Sequence, residues 1–166
     1  MSRVAVGAGS HGALVIGIGN PLRGDDGVAA VLLEELARDL GGWSTAEAEL
    51  RAVHQLTPEL ALVVADASRV LFLDACVASR TKGPWIEPLD VWTSDARDGL
   101  QAPEPGSHVL LPATLLALAH TLYGWRGEGA LLRLPAFAFP HGQALSASLL
   151  EALPEARQLV RRWLQG

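Results

Sequence analysis

The sequence predicts an α/β fold in which helices cover both faces of a mostly parallel central sheet. Two fully apolar runs, residues 14–19 and 70–73, lack polar alternation, which is typical of strands buried on both faces. Other segments place apolar side chains at the three- and four-residue spacing of amphipathic helices. Strands and helices therefore alternate along the chain, as they do in βαβ units.

The first predicted unit is a strand, a tight turn and a helix. The run at residues 14–19 ends where turn-forming residues begin, at Asn20. From Val28 to Leu40, apolar side chains fall on one helical face and charged side chains on the other. Gly41-Gly42 then ends the helix, since glycine is the preferred residue after a helix C-terminus.

The remaining elements continue this alternation. They are a strand at Ala48–Val53, a helix opened by Thr57-Pro58-Glu59, a strand at Val70–Leu73, a weaker edge strand at Trp85–Trp92, a helix at Leu111–Leu122, a strand at Ala130–Phe139 and a helix at Ser146–Leu164. Pro135 is expected to weaken its strand or to place it at an edge. Residues 95–106, rich in glycine, proline and charge, are interpreted as a long exposed loop. We predict a single domain at residues 13–166, preceded by a flexible N-terminal extension of residues 1–12.

Composition limits the classes of partner. The 166 residues are 49% hydrophobic and 19% charged, with a formal net charge of −5, which excludes a disordered chain. The negative charge argues against binding to nucleic acid or to an anionic membrane. The single cysteine, Cys76, excludes an internal disulfide and a cysteine-rich zinc site. Since no segment has the pattern of a signal peptide or a membrane span, we expect a cytoplasmic protein.

The glycine-rich loop at residues 17–27 does not fit a nucleotide site. A dinucleotide-binding motif needs glycine where Leu22 stands, and a phosphate-binding P-loop needs lysine where Asp25 stands. The adjacent carboxylates of Asp25 and Asp26 would repel a phosphate and attract a cation. The alternative is that one of them caps the following helix, since aspartate is a preferred N-cap residue.

Two further side chains are predicted near this loop. Asp74 follows an apolar strand, so we expect it at the same carboxyl edge of the sheet, where open α/β folds bind ligands. His108 precedes a helix. The alternative roles are structural: Asp74 would hold a loop amide and His108 would pack. Together, Asp26, Asp74 and His108 offer two oxygens and one imidazole nitrogen, which suits a divalent first-row metal ion without selecting one.

Residues Gly17–Val28 resemble the opening motif of the hydrogenase maturation proteases, which are endopeptidases of nickel–iron hydrogenase assembly. The resemblance continues through Leu56–Leu60, Phe72–Ala75, Ser107–Val109 and Gly142–Ser146. Ala29 departs from the pattern, because the family often has glycine there. The resemblance implies a three-layer α/β sandwich of the phosphorylase/hydrolase-like type, with a twisted central sheet.

The resemblance also implies a reaction. Such a protein would remove a C-terminal extension from the precursor of a NiFe hydrogenase large subunit, with the nickel already in that precursor as recognition signal. Carried over by motif, Asp26, Asp74 and His108 would contact the substrate's nickel, and Asp26 and Asp74 would be catalytic. The protein would then be an aspartic or metal-dependent peptidase and a monomer, and its metal would be the nickel that the precursor supplies, or another divalent metal ion when the protein is isolated. Whether the carboxylates activate water or only position the bond near the metal stays open.

Two other functions are considered. Gly17-Ile18-Gly19-Asn20-Pro21 is similar to the start of the peptidyl-tRNA hydrolases, but those enzymes need a histidine shortly downstream and a basic face for tRNA. Neither feature is found in this sequence. A non-enzymatic nickel-sensing chaperone of hydrogenase assembly would use the same three residues, and it would leave the length of the precursor unchanged.

Overall fold

A sheet of five strands organises the chain. The computed structural model describes residues 11–77, 83–90, 110–136, 142 and 144–166. Its elements are β1 (His11–Ile18), a short 3-10 helix (Gly24–Gly27), α1 (Val28–Leu40), β2 (Ala48–Val53), α2 (Leu60–Ala65), β3 (Ala67–Val77), β4 (Trp85–Leu89), α3 (Pro112–Tyr123), β5 (Glu128–Ala136) and α4 (Ala147–Gln165).

The strand order is β2-β1-β3-β5-β4, and only β4 runs antiparallel to its neighbour. β4 is an edge strand, as predicted. The register places Ile18 opposite Asp74, and Asp74 opposite Arg133. The carboxyl ends of the parallel strands therefore meet along one edge, and Asp74 lies at that edge.

Helices pack on both faces of the sheet. One hydrophobic cluster joins α1 and α4 to one face through side chains such as Leu32, Leu36 and Val160. A second cluster joins α2 and α3 to the opposite face through side chains such as Val64 and Leu116. The structure thus confirms the predicted α/β architecture of three layers with a mostly parallel sheet between helices.

Several boundaries agree with the sequence. α1 covers Val28–Leu40 and β2 covers Ala48–Val53, as predicted. Gly41 has a left-handed φ of 82°, and its N–H donates to the carbonyl of Ala37, so glycine ends α1 as expected. α4 is one helix with Pro154 inside it.

Other boundaries differ. β1 begins at His11, which lies in the segment predicted as an extension, and residues 1–10 lie outside the described residues. β3 continues to Val77, three residues beyond Asp74, because β5 pairs with it along that length. The β4 ladder ends at Arg133, so Pro135 lies beyond the residues of β5 that pair with the edge strand. The predicted loop at residues 95–106 is also outside the described part.

None of the helices in the described ranges combines the length and the apolar character needed to cross a membrane.

Candidate active site

The loop after β1 is a compact turn built around Asn20. The N–H of Arg23 donates to the Asn20 carbonyl at 3.0 Å, and the N–H of Leu22 donates to Asn20 Oδ1 at 2.9 Å. Asn20 and Pro21 favour this turn. The Asn20 side chain accepts a hydrogen bond from a nearby backbone N–H, and the ring of Pro21 fixes its own φ. The turn directs the chain from the end of β1 into the helical segment that carries Asp25 and Asp26.

Asp26 is fixed by this turn. Its Oδ2 accepts the backbone N–H of Asn20 at 2.8 Å, while Oδ1 accepts no hydrogen bond from the described residues. Gly19 makes this approach possible, because a Cβ at that position would overlap the carbonyl oxygen of Asp26. The side chain of Asp26 is partly exposed at the carboxyl edge of the sheet, so one of its oxygens remains available to a ligand.

Asp25 has a different environment. It is fully buried, and its two carboxylate oxygens accept hydrogen bonds from the backbone N–H of Ser146 at 2.6 Å and from the Ser146 hydroxyl at 2.8 Å. Ser146 is the N-cap residue of α4. Asp25 therefore holds the first loop against the start of the last helix. Neither the 3-10 helix nor α1 has a side-chain cap, so the capping alternative for Asp25 and Asp26 was wrong.

Asp74 lies in β3 at the last pair of the ladder with β1, opposite Ile18. Its pKa is raised from 3.8 to about 6, mainly by burial; the positive charge of Arg133 and the Ala75 N–H oppose this shift, and the negative charge of Asp26 adds to it. The structure thus brings Asp26 and Asp74 within electrostatic reach of each other, as the sequence predicts. Two neighbouring carboxylates of this kind favour a bound cation or a shared proton.

Arg133 is a charged neighbour of Asp74 that the sequence analysis did not identify. It lies directly opposite Asp74 in β5, and its Nε donates to Oε1 of Glu87 in β4 at 3.0 Å. The available signal is the sequence Leu131-Leu132-Arg133-Leu134, in which one charged residue interrupts a buried apolar strand. A charge placed in this way needs a partner or a function.

The third predicted ligand, His108, lies outside the described residues. Within the described ranges, no group of three or more histidine, cysteine, aspartate or glutamate side chains is arranged to hold a metal ion. Cys76 follows Asp74 by two residues, and burial raises the pKa of its thiol. A thiolate nucleophile is therefore not favoured at this position.

A cavity of about 550 Å³ lies elsewhere, between β4, the start of β5 and α4. Leu89, Gly129 and Trp163 are among its lining residues. Gly129 pairs with Val70 at the amino-terminal end of the β3–β5 ladder, so the cavity is at the opposite end from Asp74.

Comparison with known proteins gives structural similarity only. No protein-family profile matches the sequence, and no curated protein matches it either. Among solved structures, the hydrogenase 2 maturation peptidase of a Thaumarchaeota archaeon is 22% identical, with a TM-score of 0.65, over 92% of this chain and 97% of the other.

Two further solved structures are similar. The NiFe hydrogenase maturation protease HybD of Thermococcus kodakarensis is 18% identical, with a TM-score of 0.68, over 92% of this chain and 99% of the other. The hydrogenase maturating endopeptidase HybD of E. coli is 17% identical, with a TM-score of 0.63, over 93% and 92% of the two chains. This chain therefore has the fold of these maturation proteases.

Proposed function

We propose that this protein is a hydrogenase maturation protease. It removes a C-terminal extension from the precursor of a NiFe hydrogenase large subunit, and the nickel in that precursor is its recognition signal. The fold that it shares over more than nine-tenths of its length with solved maturation proteases supports this function. The observation that carries the proposal is the placement of Asp26 and Asp74 at the carboxyl edge of that fold, where the negative charge of Asp26 contributes to the raised pKa of Asp74.

Nickel binds across this edge when the precursor docks. Asp26, Asp74 and His108 supply two carboxylates and one imidazole, and the precursor supplies the remaining ligands. Burial is the main cause of the raised pKa of Asp74, and the negative charge of Asp26 adds to it; a cation beside the two carboxylates would relieve that repulsion. Since the metal arrives with the substrate, cleavage is confined to a precursor that has already received its nickel.

Asp26 and Asp74 have different tasks in the reaction. Asp26, held by the Asn20 N–H, positions the nickel and therefore the peptide bond that is to be cut. Asp74, at the carboxyl end of the ladder between β1 and β3, accepts a proton from the attacking water as general base. The water adds to the carbonyl carbon, the peptide C–N bond breaks, and the extension leaves with a new amino terminus.

The proposal also covers the partner, the cellular location and the oligomeric state of the protein. The net charge of −5 supports a protein partner over nucleic acid or an anionic membrane. We place the protein in the cytoplasm as a monomer, where it meets the precursor before the hydrogenase is assembled.

Substitution of the three ligands tests the proposal. Asp26→Asn, Asp74→Asn and His108→Ala are each expected to abolish shortening of the nickel-loaded precursor, measured by intact mass, and to leave the far-UV circular dichroism spectrum unchanged. Asp66→Asn is the matched control, because Asp66 precedes β3 at the opposite edge of the sheet. Normal processing by the Asp74→Asn protein would contradict the proposal. Binding of precursor by the wild type without any change in mass would favour the chaperone.

A further inference from the structure

Arg133 is placed on the same face of the sheet as Asp74. The two residues are direct partners in neighbouring parallel strands, which lie about 4.8 Å apart. Two residues earlier, Phe72 and Leu131 both belong to the hydrophobic cluster under α2 and α3. Because side chains in a strand alternate with a period of two, Asp74 and Arg133 project from this same face.

Glu87 fixes the orientation of Arg133. Its Oε1 accepts the Nε–H of Arg133 at 3.0 Å, and the Arg133 side chain is 34% exposed. Within the described part of the chain, the two terminal Nη groups of Arg133 make no hydrogen bond. Among the described residues, the guanidinium group of Arg133 is thus held at its base by Glu87, and its four terminal N–H groups are donors that a ligand could use.

The carboxylates at this edge would repel an oxygen that becomes negatively charged during hydrolysis, so such an oxygen needs a positively charged group beside it. Asp26, Asp74 and Glu87 carry three negative charges when ionised, against the single positive charge of Arg133. The carboxylates therefore outnumber the positive charge of Arg133 at this edge. Negative charge develops on the oxygen of the cleaved carbonyl during the reaction. A hydrogen-bond donor that is already fixed beside this oxygen stabilises the charge without reorganisation.

We propose that Arg133 is a further catalytic residue, whose guanidinium group donates hydrogen bonds to the oxygen that becomes negatively charged during peptide hydrolysis and then to the carboxylate of the shortened product. This inference rests on the proposed function. Water adds to the carbonyl carbon, the C=O electron pair moves to the oxygen beside Arg133, and the C–N bond breaks as the oxyanion collapses. Both protons of the water end on the leaving nitrogen as an ammonium group, and the acyl carbon retains the water oxygen in a carboxylate.

The guanidinium group acts only as a donor and a charge. It stays protonated at any working pH, so it does not serve as the general acid or base. Arg23 is the competing cation, because it lies in the loop just before Asp25. Arg23 is exposed and forms no ion pair in the described ranges, whereas Glu87 holds Arg133 beside Asp74. A held donor loses less conformational freedom when it binds the transition state.

Steady-state processing of the nickel-loaded precursor tests this inference in four variants. Arg133→Met is expected to lower kcat by about 10²-fold to 10³-fold with little change in KM, the range found when one oxyanion donor is removed. Arg133→Lys keeps the charge without the planar fork and should fall between wild type and Arg133→Met. Glu87→Gln should lower kcat less than Arg133→Met. Arg51→Met, which removes an exposed arginine of β2 that pairs with Glu49 and is separated from β3 by β1, should leave kcat unchanged.

Chemical rescue separates a catalytic from a structural role. Millimolar guanidinium ion should raise the kcat of the Arg133→Ala protein at least tenfold, and it should leave the kcat of the Asp74→Asn protein unchanged. If the Arg133→Met protein keeps the kcat of the wild type, the inference is overturned and the proposed function is left intact. The same holds if kcat falls in the Arg23→Met protein and not in the Arg133→Met protein. Failure of guanidinium to rescue Arg133→Ala would also overturn it. Failure of the wild type to shorten any nickel-loaded precursor would instead overturn the proposed function itself.

Discussion

Asp25 and Ser146 are 121 residues apart in the sequence, yet the buried carboxylate of Asp25 accepts hydrogen bonds from both the backbone N–H and the hydroxyl of Ser146. A second bond reinforces this connection, because the N–H of Gly142 donates to the Leu22 carbonyl at 2.9 Å. The loop that carries Asp26 is therefore anchored to the start of α4.

Removing the hydroxyl should weaken this anchor. We expect Ser146→Ala to lower the free energy of unfolding by about 1–3 kcal/mol, because a buried carboxylate loses a charge-assisted hydrogen bond. Urea denaturation measures the change. Ser148→Ala, at an exposed position in the first turn of α4, is the control and should change stability by less than about 0.5 kcal/mol. Equal stability of the Ser146→Ala and Ser148→Ala proteins would contradict the prediction.

Gly19 should be much less tolerant of a side chain than Gly41, although both have positive φ values, 145° and 82°. A Cβ on Gly19 would overlap the carbonyl oxygen of Asp26, whereas a Cβ on Gly41 would meet nothing within 4 Å. We expect Gly19→Ala to cost about 3 kcal/mol or more and Gly41→Ala about 1 kcal/mol. Thermal and urea unfolding of the two variants make the comparison, and equal costs would show that the Gly19–Asp26 approach is not tight.

Asp74 should make stability depend on pH in a defined direction. Its pKa is raised from 3.8 to about 6 in the folded protein. The stability that this shift contributes is therefore fully present below pH 4 and is lost as the pH rises through about 6. Between pH 4 and pH 7, the free energy of unfolding of the wild type should therefore fall by about 1–2 kcal/mol relative to that of the Asp74→Asn protein, after allowance for partial solvent screening. Urea denaturation with a chelator present measures this difference. A constant difference between the two proteins across this range would exclude the raised pKa.

Local patterns predicted the elements whose causes are local. α1 has an amphipathic pattern and glycines at its end, and its bounds match the prediction. The length of β3 was underestimated, because its last residues, Ala75 to Val77, are held by pairing with β5 and not by an apolar run of their own. Pairing between distant segments leaves no signal in a short window of sequence.

The candidate site was predicted in the same uneven way. The carboxylates of Asp26 and Asp74 were identified because one follows a glycine-rich turn and the other follows an apolar strand. The role of Asp25 was not predicted, because its partner is Ser146 in the distant last helix. Arg133 was missed for a similar reason, since only the register of β3 against β5 sets it beside Asp74.

The mass of a large-subunit precursor after incubation with this protein tests the central claim most directly. Precursor loaded with nickel and precursor without nickel are incubated in parallel, with the Asp74→Asn protein as the inactive control. We expect the loaded precursor alone to lose the mass of its C-terminal extension, and only with the wild-type protein. Cleavage of both forms would contradict recognition through nickel, and an unchanged mass in both would contradict the assignment as a maturation protease.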